Sequence, residues 1–370
     1  MGFRCGIVGL PNVGKSTIFN ALTRSSVPAS NYPFCTIDPN VGVVPVPDPR
    51  LAQLTELVPR ERVVPAVIEF VDLAGLVKGA SHGEGLGNQF LNYIAQVDAL
   101  AHIVRCFEDS QVVHVTGSID PRRDIEIVAT ELILRDLSVV TSAAGRLEKL
   151  AKSGDKKTAA AVEVLHQVAQ ALDQGRPVRT VIRGLTPSGQ EAVTPLNLLT
   201  AKPMLYVANV GEQEATATGG TSPIINAVRE AAAADGSPVV VMCGALEAQI
   251  AALESEAERA EYMAALGLTE SGLSRLIQAG YELLEFITFF TVVQTENRAW
   301  TIRRGSTALE AAAKIHTDMA RGFIRAEVIG FDEFVACGSE AVAREQGRLR
   351  AEGKEYVVQD GEVIHFRFHV

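Results

Sequence analysis

Short apolar runs, each closed by glycine or polar residues, recur along the first two thirds of the chain. They occupy residues 5–8, 66–71, 99–107, 204–208 and 238–242. Continuous apolar runs of this length are typical of strands that are buried on both faces of a parallel sheet. Because helical segments separate several of these runs, the pattern predicts an α/β fold.

A helical pattern takes over from about residue 124. Apolar residues recur at alternating steps of four and three in two successive segments, namely Ile133, Leu137, Val140, Ala144 and Leu147, then Val162, Leu165, Ala169 and Leu172. Two such helices joined by a short polar turn predict an antiparallel coiled-coil hairpin. The alternative is a helical bundle packed onto the core. We assign 124–199 to an inserted helical arm, and 1–123 with 200–285 to the α/β domain that it interrupts.

The last portion, 286–370, alternates strands and helices on a smaller scale. Apolar runs at 287–293 and 299–302 predict a hairpin, which is followed by a helix and further strands in a small β-grasp domain. Between Arg298 and Arg325, six basic residues stand against two acidic ones. This excess indicates either a contact with an RNA backbone or a solvated face with internal ion pairs.

Composition narrows the class of protein. The 370 residues carry a net charge of −10, which disfavours indiscriminate coating of nucleic acid, and no DNA partner is expected. No apolar run approaches the roughly 20 residues that span a bilayer. The five cysteines are widely separated, which makes a disulfide framework or a metal knuckle unexpected. We expect a cytoplasmic protein without a membrane partner.

Candidate chemistry begins directly after the first apolar run. The residues Gly9-Leu10-Pro11-Asn12-Val13-Gly14-Lys15-Ser16-Thr17 match the phosphate-loop pattern G-x-x-x-x-G-K-[ST] between a predicted strand and a predicted helix. Backbone N–H groups and the helix N-terminus of such a loop surround phosphate oxygens. We therefore predict that residues 12–17 bind a nucleoside triphosphate. Lys15 would reach the β- and γ-phosphates as a catalytic group, and the Ser16 hydroxyl would bind Mg²⁺.

Two further positions, Thr36 and Gly75, are predicted to sense the γ-phosphate, and Asp72 is predicted to hold Mg²⁺. Thr36 lies 20 residues after Ser16 in a proline-rich loop, where a threonine can close over the γ-phosphate and complete the Mg²⁺ shell. Asp72 ends the apolar run at 66–71, and an aspartate there can hold Mg²⁺ through water. Gly75 would let a backbone N–H approach the γ-phosphate. The glycine-rich segment from 75 to 87 is expected to become ordered only with triphosphate.

The residue that orients the attacking water is not evident. Many GTPases carry a glutamine directly after the glycine of this segment, whereas Leu76 stands here and cannot orient water. The water must then be positioned from elsewhere, or unaided hydrolysis is slow. His114, in the loop after the strand at 99–107, is a catalytic candidate, although an ordinary solvated or capping histidine is the alternative.

The base-binding motif is altered. Asn209-Val210-Gly211-Glu212 follows the strand at 204–208, where a GTPase would show N-K-x-D. Val210 replaces the lysine that covers the base, and Glu212 replaces the aspartate that accepts from guanine. Asn209 remains, and an asparagine amide can face the adenine N6/N7 edge. These changes favour ATP over GTP.

Taken together, the phosphate loop with Asn12, Phe34-Cys35-Thr36, Asp72-Leu73-Ala74-Gly75-Leu76, the altered motif at 209–212 and Ile364-His365-Phe366-Arg367-Phe368 resemble the YchF (Obg-like ATPase) family of P-loop NTPases. The resemblance covers essentially the whole chain. It implies a Ras-like nucleotide domain, an inserted coiled-coil arm and a carboxy-terminal TGS domain. It also implies slow hydrolysis of ATP in association with the ribosome, through rRNA and ribosomal proteins. Asn12 resembles the phosphate-loop asparagine that helps to hold K⁺ in potassium-dependent relatives.

Other functions remain open at this point. The chain could be a GTPase of the Obg type with a degenerate base site. It could also be a ribosome- or RNA-binding adaptor in which the nucleotide is structural. A small-molecule kinase is a remote alternative, since kinases need a lid and an acceptor pocket rather than a pair of switch residues.

Overall fold

The computed structural model describes residues 3–24, 40–73, 94–109, 112, 114–151, 155–216, 222–293 and 295–369. These residues form two compact units, one from Met1–Val44 and Glu69–Gly280, the other from Pro45–Ile68 and Tyr281–Val370. The strands within the described residues are numbered in chain order: β1 Phe3–Val8, β2 Val41–Pro45, β3 Arg62–Val64, β4 Val67–Asp72, β5 Ala99–Cys106, β6 Met204–Val210, β7 Val239–Met242, β8 Phe286–Val292, β9 Glu296–Arg303, β10 Phe323–Ile329, β11 Arg350–Glu352 and β12 Val363–Phe368.

The α-helices of the described part are numbered in the same way: α1 Lys15–Arg24, α2 Pro49–Leu57, α3 Pro121–Ala151, α4 Lys156–Asp173, α5 Val178–Val181, α6 Pro187–Val193, α7 Glu212–Thr216, α8 Pro223–Asp235, α9 Gly244–Ala252, α10 Glu256–Ala265, α11 Gly272–Leu283, α12 Ala308–Ile315, α13 Thr317–Arg321, α14 Phe331–Cys337 and α15 Glu340–Glu345. Short 3₁₀ turns lie at Ile182–Gly184, Thr194–Leu196 and Leu199–Ala201.

The first unit is built on a six-stranded sheet with the order β2-β4-β1-β5-β6-β7. The pairs β1–β5, β5–β6 and β6–β7 are parallel, and β5 and β6 are buried along their whole length. The predicted α/β fold is therefore confirmed. The order of strands reverses around β1, and ligands of such sheets bind at the carboxyl ends of the strands beside this reversal. The phosphate-loop sequence begins there, directly after β1.

The helical insertion forms as a pair of helices. Near the start of α3, the buried residues Ile125 and Val128 line a small cavity together with His102 of β5 and Tyr206 of β6. Further along, α3 and α4 share an apolar core. This core contains Ile133, Val140, Ala143, Ala144, Leu165, Val168, Leu172, Val178, Val193 and Leu198. The last three of these residues come from the segment after α4, so this segment packs against one side of the helix pair. Its description as a coiled coil stays a prediction.

The second unit contains the small β-grasp arrangement expected from the sequence. Its sheet has the order β11-β10-β12-β8-β9-β3, with an antiparallel β8–β9 hairpin and a parallel contact between β12 and β8. The helix α12 packs its alanines against one face of this sheet, where Phe289 and Val328 are fully buried.

Residues 45–68 group with the carboxy-terminal unit, whereas the sequence analysis placed them in the nucleotide domain. Within this unit β3 pairs with β9 in parallel, and Arg50 forms an ion pair of 2.8 Å with Asp360. Strand pairing over such a distance in sequence leaves no local pattern, so the sequence gives no sign of it. The unit begins again at Tyr281, close to the predicted boundary at 285/286.

Among the basic residues between 298 and 325, Arg298, Arg321 and Arg325 have ion-pair partners inside the unit. Arg298 stacks over Trp300 at 4.1 Å and lies 3.6 Å from Glu296. Arg325 donates to Glu327, a carboxylate whose pKa is lowered to about 2, chiefly by the hydrogen bonds from Arg367. These contacts favour the interpretation of the basic residues as a solvated face with internal ion pairs. Contact with an RNA backbone stays a prediction. In the described part of the chain, no helix combines the length and apolar character that crossing a bilayer requires.

The buried imidazole of His102 predicts acid sensitivity. Burial, reinforced by Arg179 and Lys15, lowers the pKa of His102 to about 3, below the ordinary value of about 6.5. As the pH falls below 6.5 the unfolded chain takes up a proton that the folded chain does not, so stability decreases. Linkage gives a loss of about 2 kcal/mol between pH 7 and pH 5 from this residue. Urea unfolding of the wild type and of His102→Gln at both pH values measures it. Equal losses in the two proteins would contradict the assignment.

Candidate nucleotide-binding site

The phosphate loop connects β1 to α1 through a backbone that few sequences can adopt. Gly9, Asn12 and Gly14 have φ values of 152°, 63° and 97°. A Cβ at Gly14 would lie 2.3 Å from Nδ2 of Asn209, and a Cβ at Gly9 would lie 2.5 Å from the carbonyl oxygen of Ile103. Both glycines are therefore required by their surroundings as well as by φ. The helix α1 then begins with a hydrogen bond of 3.0 Å from Ile18 N to Gly14 O.

Lys15 lies inside the loop. Its side chain is buried, and Nζ donates to the carbonyl oxygens of Gly9 at 3.1 Å and Leu10 at 2.8 Å. Burial lowers the pKa of Lys15, and the nearby Asp72 opposes this effect. Ser16 and Thr17 are exposed on the first turn of α1. The exposed N-terminus of this helix and the lysine together favour an anion.

Asp72 is the last residue of β4, and one of its oxygens has the property that a cation site requires. Oδ1 of Asp72 is buried and has no hydrogen-bond partner among the described residues. Burial raises the pKa of Asp72, while Lys15 lowers it. An orphaned buried oxygen costs free energy unless something binds it. Mg²⁺ prefers oxygen ligands, so the carboxylate of Asp72 and the hydroxyl of Ser16 fit this ion.

Asn209, at the end of β6, uses both ends of its amide inside the protein. Nδ2 donates to Val13 O at 2.9 Å, and Oδ1 accepts from Gly244 N at 2.9 Å. The side chain is 4% exposed. This residue therefore holds the phosphate loop against the start of α9. The predicted contact between its amide and adenine receives no support from this arrangement.

The other two residues of the altered motif occupy contrasting positions. Val210 is buried within β6, so its side chain packs in the core, in contrast to the lysine stem that covers a base. Glu212 is exposed on the first turn of α7, where its carboxylate is accessible. Of the two, only Glu212 is placed to meet a nucleotide through its side chain, and its role stays a prediction.

His114 is buried and bonded at both ring nitrogens. Thr116 N donates to Nδ1 at 3.2 Å, so Nδ1 is the acceptor and Nε2 carries the proton. Nε2 lies 2.9 Å from Oδ2 of Asp124, in the first turn of α3. These contacts favour the alternative of a capping histidine over catalysis, because neither nitrogen is free to bind water in this arrangement.

Two predicted site residues lie outside the described residues. They are Thr36 and Gly75, and Leu76 and the rest of the glycine-rich segment are outside as well. The structure thus brings together the phosphate loop, Asp72 and Asn209, and it does not test the γ-phosphate switch.

Arg105 is a residue of this site that the sequence analysis missed. It lies near the end of β5 and is 2% exposed, and its Nη1 donates to Asn12 O at 3.4 Å. The signal was present in the sequence, because an arginine interrupts an otherwise nearly continuous apolar run at 99–107. A buried charge in such a run needs partners.

A glycine-bearing loop between strand and helix, with a buried lysine and an aspartate at the end of the adjacent strand, defines a P-loop nucleotide-binding protein. Comparisons with known proteins agree. The model for 50S ribosome-binding GTPases matches residues 4–139, and YchF-GTPase_C, described as a protein of unknown function, matches residues 286–369. The chain belongs to the YchF family, as the sequence analysis indicated.

Three relatives show how far this similarity extends. The ribosome-binding ATPase YchF of Haemophilus influenzae is 52% identical and that of Bacillus subtilis is 50% identical, each over 370 residues and 100% of both chains. The solved structure of the Schizosaccharomyces pombe YchF GTPase has a TM-score of 0.87 at 34% identity, and the match covers 99% of this chain and 98% of that one. The similarity therefore includes both units and the helical insertion.

Proposed function

We propose that this protein is a ribosome-binding ATPase that binds ATP with Mg²⁺, hydrolyses it slowly and couples its nucleotide state to ribosome binding. One observation carries the proposal: a phosphate loop with three residues at positive φ holds the buried Lys15, and the orphaned oxygen of Asp72 lies close enough to interact with this lysine. The names of the relatives, at 50–52% identity over the full length, support the choice of ATP and of the ribosome. The partner surface consists of rRNA and ribosomal proteins, and the location is the cytoplasm.

Some residues of the site bind the nucleotide and Mg²⁺, and others respond to the presence of the γ-phosphate. The N–H groups of residues 12–17 bind the phosphates, and Lys15 moves from the carbonyls of the loop to the β- and γ-phosphates. Ser16, Thr36 and Asp72 hold Mg²⁺, which neutralises charge on the phosphates when bound. Thr36 and Gly75 respond to the γ-phosphate, and Glu212 faces the base. The carboxy-terminal unit contains the TGS domain that the family resemblance implies.

A GTPase is the second candidate. The solved relative from Schizosaccharomyces pombe is named a GTPase, and Asn209 of the guanine motif is retained. Titration calorimetry with ATPγS and GTPγS, with and without ribosomes, separates the two. We expect tighter binding of ATPγS. Tenfold tighter binding of GTPγS would establish the second candidate, and ribosome co-sedimentation that is the same with either nucleotide or none would favour an adaptor.

Replacing His114 separates its two roles. In His114→Ala the buried Asp124 carboxylate loses a partner, so we expect a loss of about 1–3 kcal/mol in the free energy of unfolding. Turnover of ATP is then measured at a temperature where the variant is folded. A lower kcat with unchanged ATP affinity would establish the predicted catalytic role. Unchanged turnover would leave His114 as a structural link to α3.

The proposed K⁺ site has a simple test. Asn12 is exposed in the loop with φ of 63°, so its side chain is accessible to a cation beside the β- and γ-phosphates. A monovalent cation there would supply positive charge that an arginine finger provides elsewhere. We expect hydrolysis to slow by about tenfold or more when K⁺ is replaced by Na⁺. Equal rates in the two salts, or an equal salt effect in Asn12→Ala, would exclude the site.

A further inference from the structure

Arg105 is a buried cation whose hydrogen-bond partners among the described residues are all backbone carbonyls. Its Nε donates to Phe107 O at 3.2 Å, and its Nη2 donates to Val112 O at 3.0 Å and Asp109 O at 3.4 Å. The third nitrogen, Nη1, lies 3.4 Å from Asn12 O of the phosphate loop. The guanidinium also stacks on the ring of Phe107 at 4.5 Å. Four carbonyl contacts and a ring fix a group whose burial would otherwise be costly.

Arg105 lies beside Asn209 in the sheet, and both side chains bind the phosphate loop. Arg105 of β5 is the register partner of Asn209 on the adjacent parallel strand β6. Arg105 donates to Asn12 O, and Asn209 donates to Val13 O. Two neighbouring side chains at the end of the sheet thus bind two consecutive carbonyls of the phosphate loop.

Binding a carbonyl also determines where the next N–H points. A trans peptide is planar, and its C=O and N–H point in opposite directions. With the carbonyl of Asn12 turned toward Arg105, the N–H of Val13 is turned away from it. In the same way, the contact between Asn209 and Val13 O turns the N–H of Gly14 away. Preorganised N–H groups that face away from the sheet end are what an anion-binding loop requires.

We propose that Arg105 is a positioning residue for phosphate binding, which holds the peptide between Asn12 and Val13 so that the Val13 N–H faces the phosphates. This inference rests on the proposed nucleotide-binding function. Through its other carbonyl contacts the same guanidinium links Phe107, Asp109 and Val112 to the loop. Its charge, held in a medium of low dielectric, adds attraction for the phosphates.

The test compares Arg105→Met with a matched control. Arg179 is a largely buried arginine of the first unit, bonded to Asp235 and to Thr200 O, and among the described residues it makes no hydrogen bond to the phosphate loop. Arg179→Met removes a largely buried arginine charge elsewhere in the same unit. For each protein we would measure thermal unfolding and the Kd of ADP and of ATPγS at a temperature where circular dichroism shows both variants folded.

We expect Arg105→Met to raise both Kd values by about 10-fold to 100-fold, the range set by hydrogen bonds to charged groups. KM for ATP should rise in parallel while kcat changes by less than about threefold, since the contact acts on bound substrate and transition state alike. Arg105→Lys, which keeps the charge and can replace a single contact, should restore part of the affinity. Arg179→Met should leave both Kd values within about twofold of the wild type.

Two results would overturn the proposal. One is a folded Arg105→Met that binds ADP as tightly as the wild type. The other is a loss of affinity in Arg179→Met as large as in Arg105→Met, which would assign the effect to general destabilisation. If the wild type itself bound no nucleotide, the proposed function would fail, and that outcome differs from either of these.

Discussion

Replacing Lys15 with alanine is expected to reduce ATP turnover by a factor on the order of 10²–10³, the usual cost of removing one preorganised charge from a transition state. Nζ of Lys15 is bound to two loop carbonyls, so the positive charge already lies within the loop before nucleotide arrives and moves from there to the phosphates. The variant also leaves those carbonyls without a donor, and a loss of nucleotide affinity should accompany the loss of turnover. Phosphate release under saturating ATP and titration with ATPγS measure the two effects.

Lys202 supplies the matched control. It is a buried lysine of the same unit, and its Nζ donates to the carbonyls of Ala95 and Val97 at 3.2 Å and 2.7 Å. Burial lowers the pKa of both lysines. Lys202→Ala also leaves two carbonyls without their donor, so it should destabilise the fold as Lys15→Ala does. The turnover of ATP should nevertheless stay within about threefold of the wild type. Equal losses in the two variants would mean that Lys15 matters only for the fold of the loop.

Replacing Gly14 with alanine is the second large effect. The new Cβ would lie 2.3 Å from Nδ2 of Asn209, and the backbone would keep a φ of 97° that alanine disfavours. Strain of this kind costs about 1–3 kcal/mol, and displacing the buried Asn209 amide costs a similar amount. Since 1.4 kcal/mol is tenfold in an equilibrium constant, affinity for ATPγS should fall by about 100-fold or more. Calorimetric titration measures it.

A glycine variant elsewhere separates the effect of the steric clash at Gly14 from the effect of its positive φ. Gly236 also has a positive φ, 70°, but a Cβ there would meet nothing within 4 Å. Gly236→Ala should lower the free energy of unfolding by about 1 kcal/mol and leave ATPγS affinity unchanged. If both glycine variants lost affinity equally, the contact between Gly14 and Asn209 would have no part in nucleotide binding.

The parts of the site that were predictable share one property, which is that their signals are local. The phosphate loop is recognised because a strand, glycines, a lysine and a helix follow one another within about 20 residues. Asp72 was recognisable in the same way, as a polar residue at the end of an apolar run. Local patterns of this kind also predicted the α/β sheet and the helical pair.

The parts that were missed depend on contacts between distant residues. The role of Asn209 as a link between Val13 and Gly244 follows from three segments that meet only in the folded protein. Arg105 is visible in the sequence as a charge within an apolar run, but its contact with the phosphate loop follows only from the fold. Comparison with the N-K-x-D motif shows that Val210 and Glu212 replace its lysine and aspartate. It does not show that Val210 is buried, because the burial depends on the neighbouring strands of the sheet.

The grouping of residues 45–68 with the carboxy-terminal unit has a consequence for synthesis of the chain. Asn297 Nδ2 donates to Val58 O at 2.8 Å across 239 residues of sequence. At ribosomal elongation rates of about 5–20 residues per second, the early segment is made roughly 10–50 s before its partner strand exists. During that interval Leu51 and Leu54, which are buried in the finished protein, lack their final neighbours. Nascent chains stalled before residue 286 should accordingly bind chaperones through 45–68, and completed chains should release them.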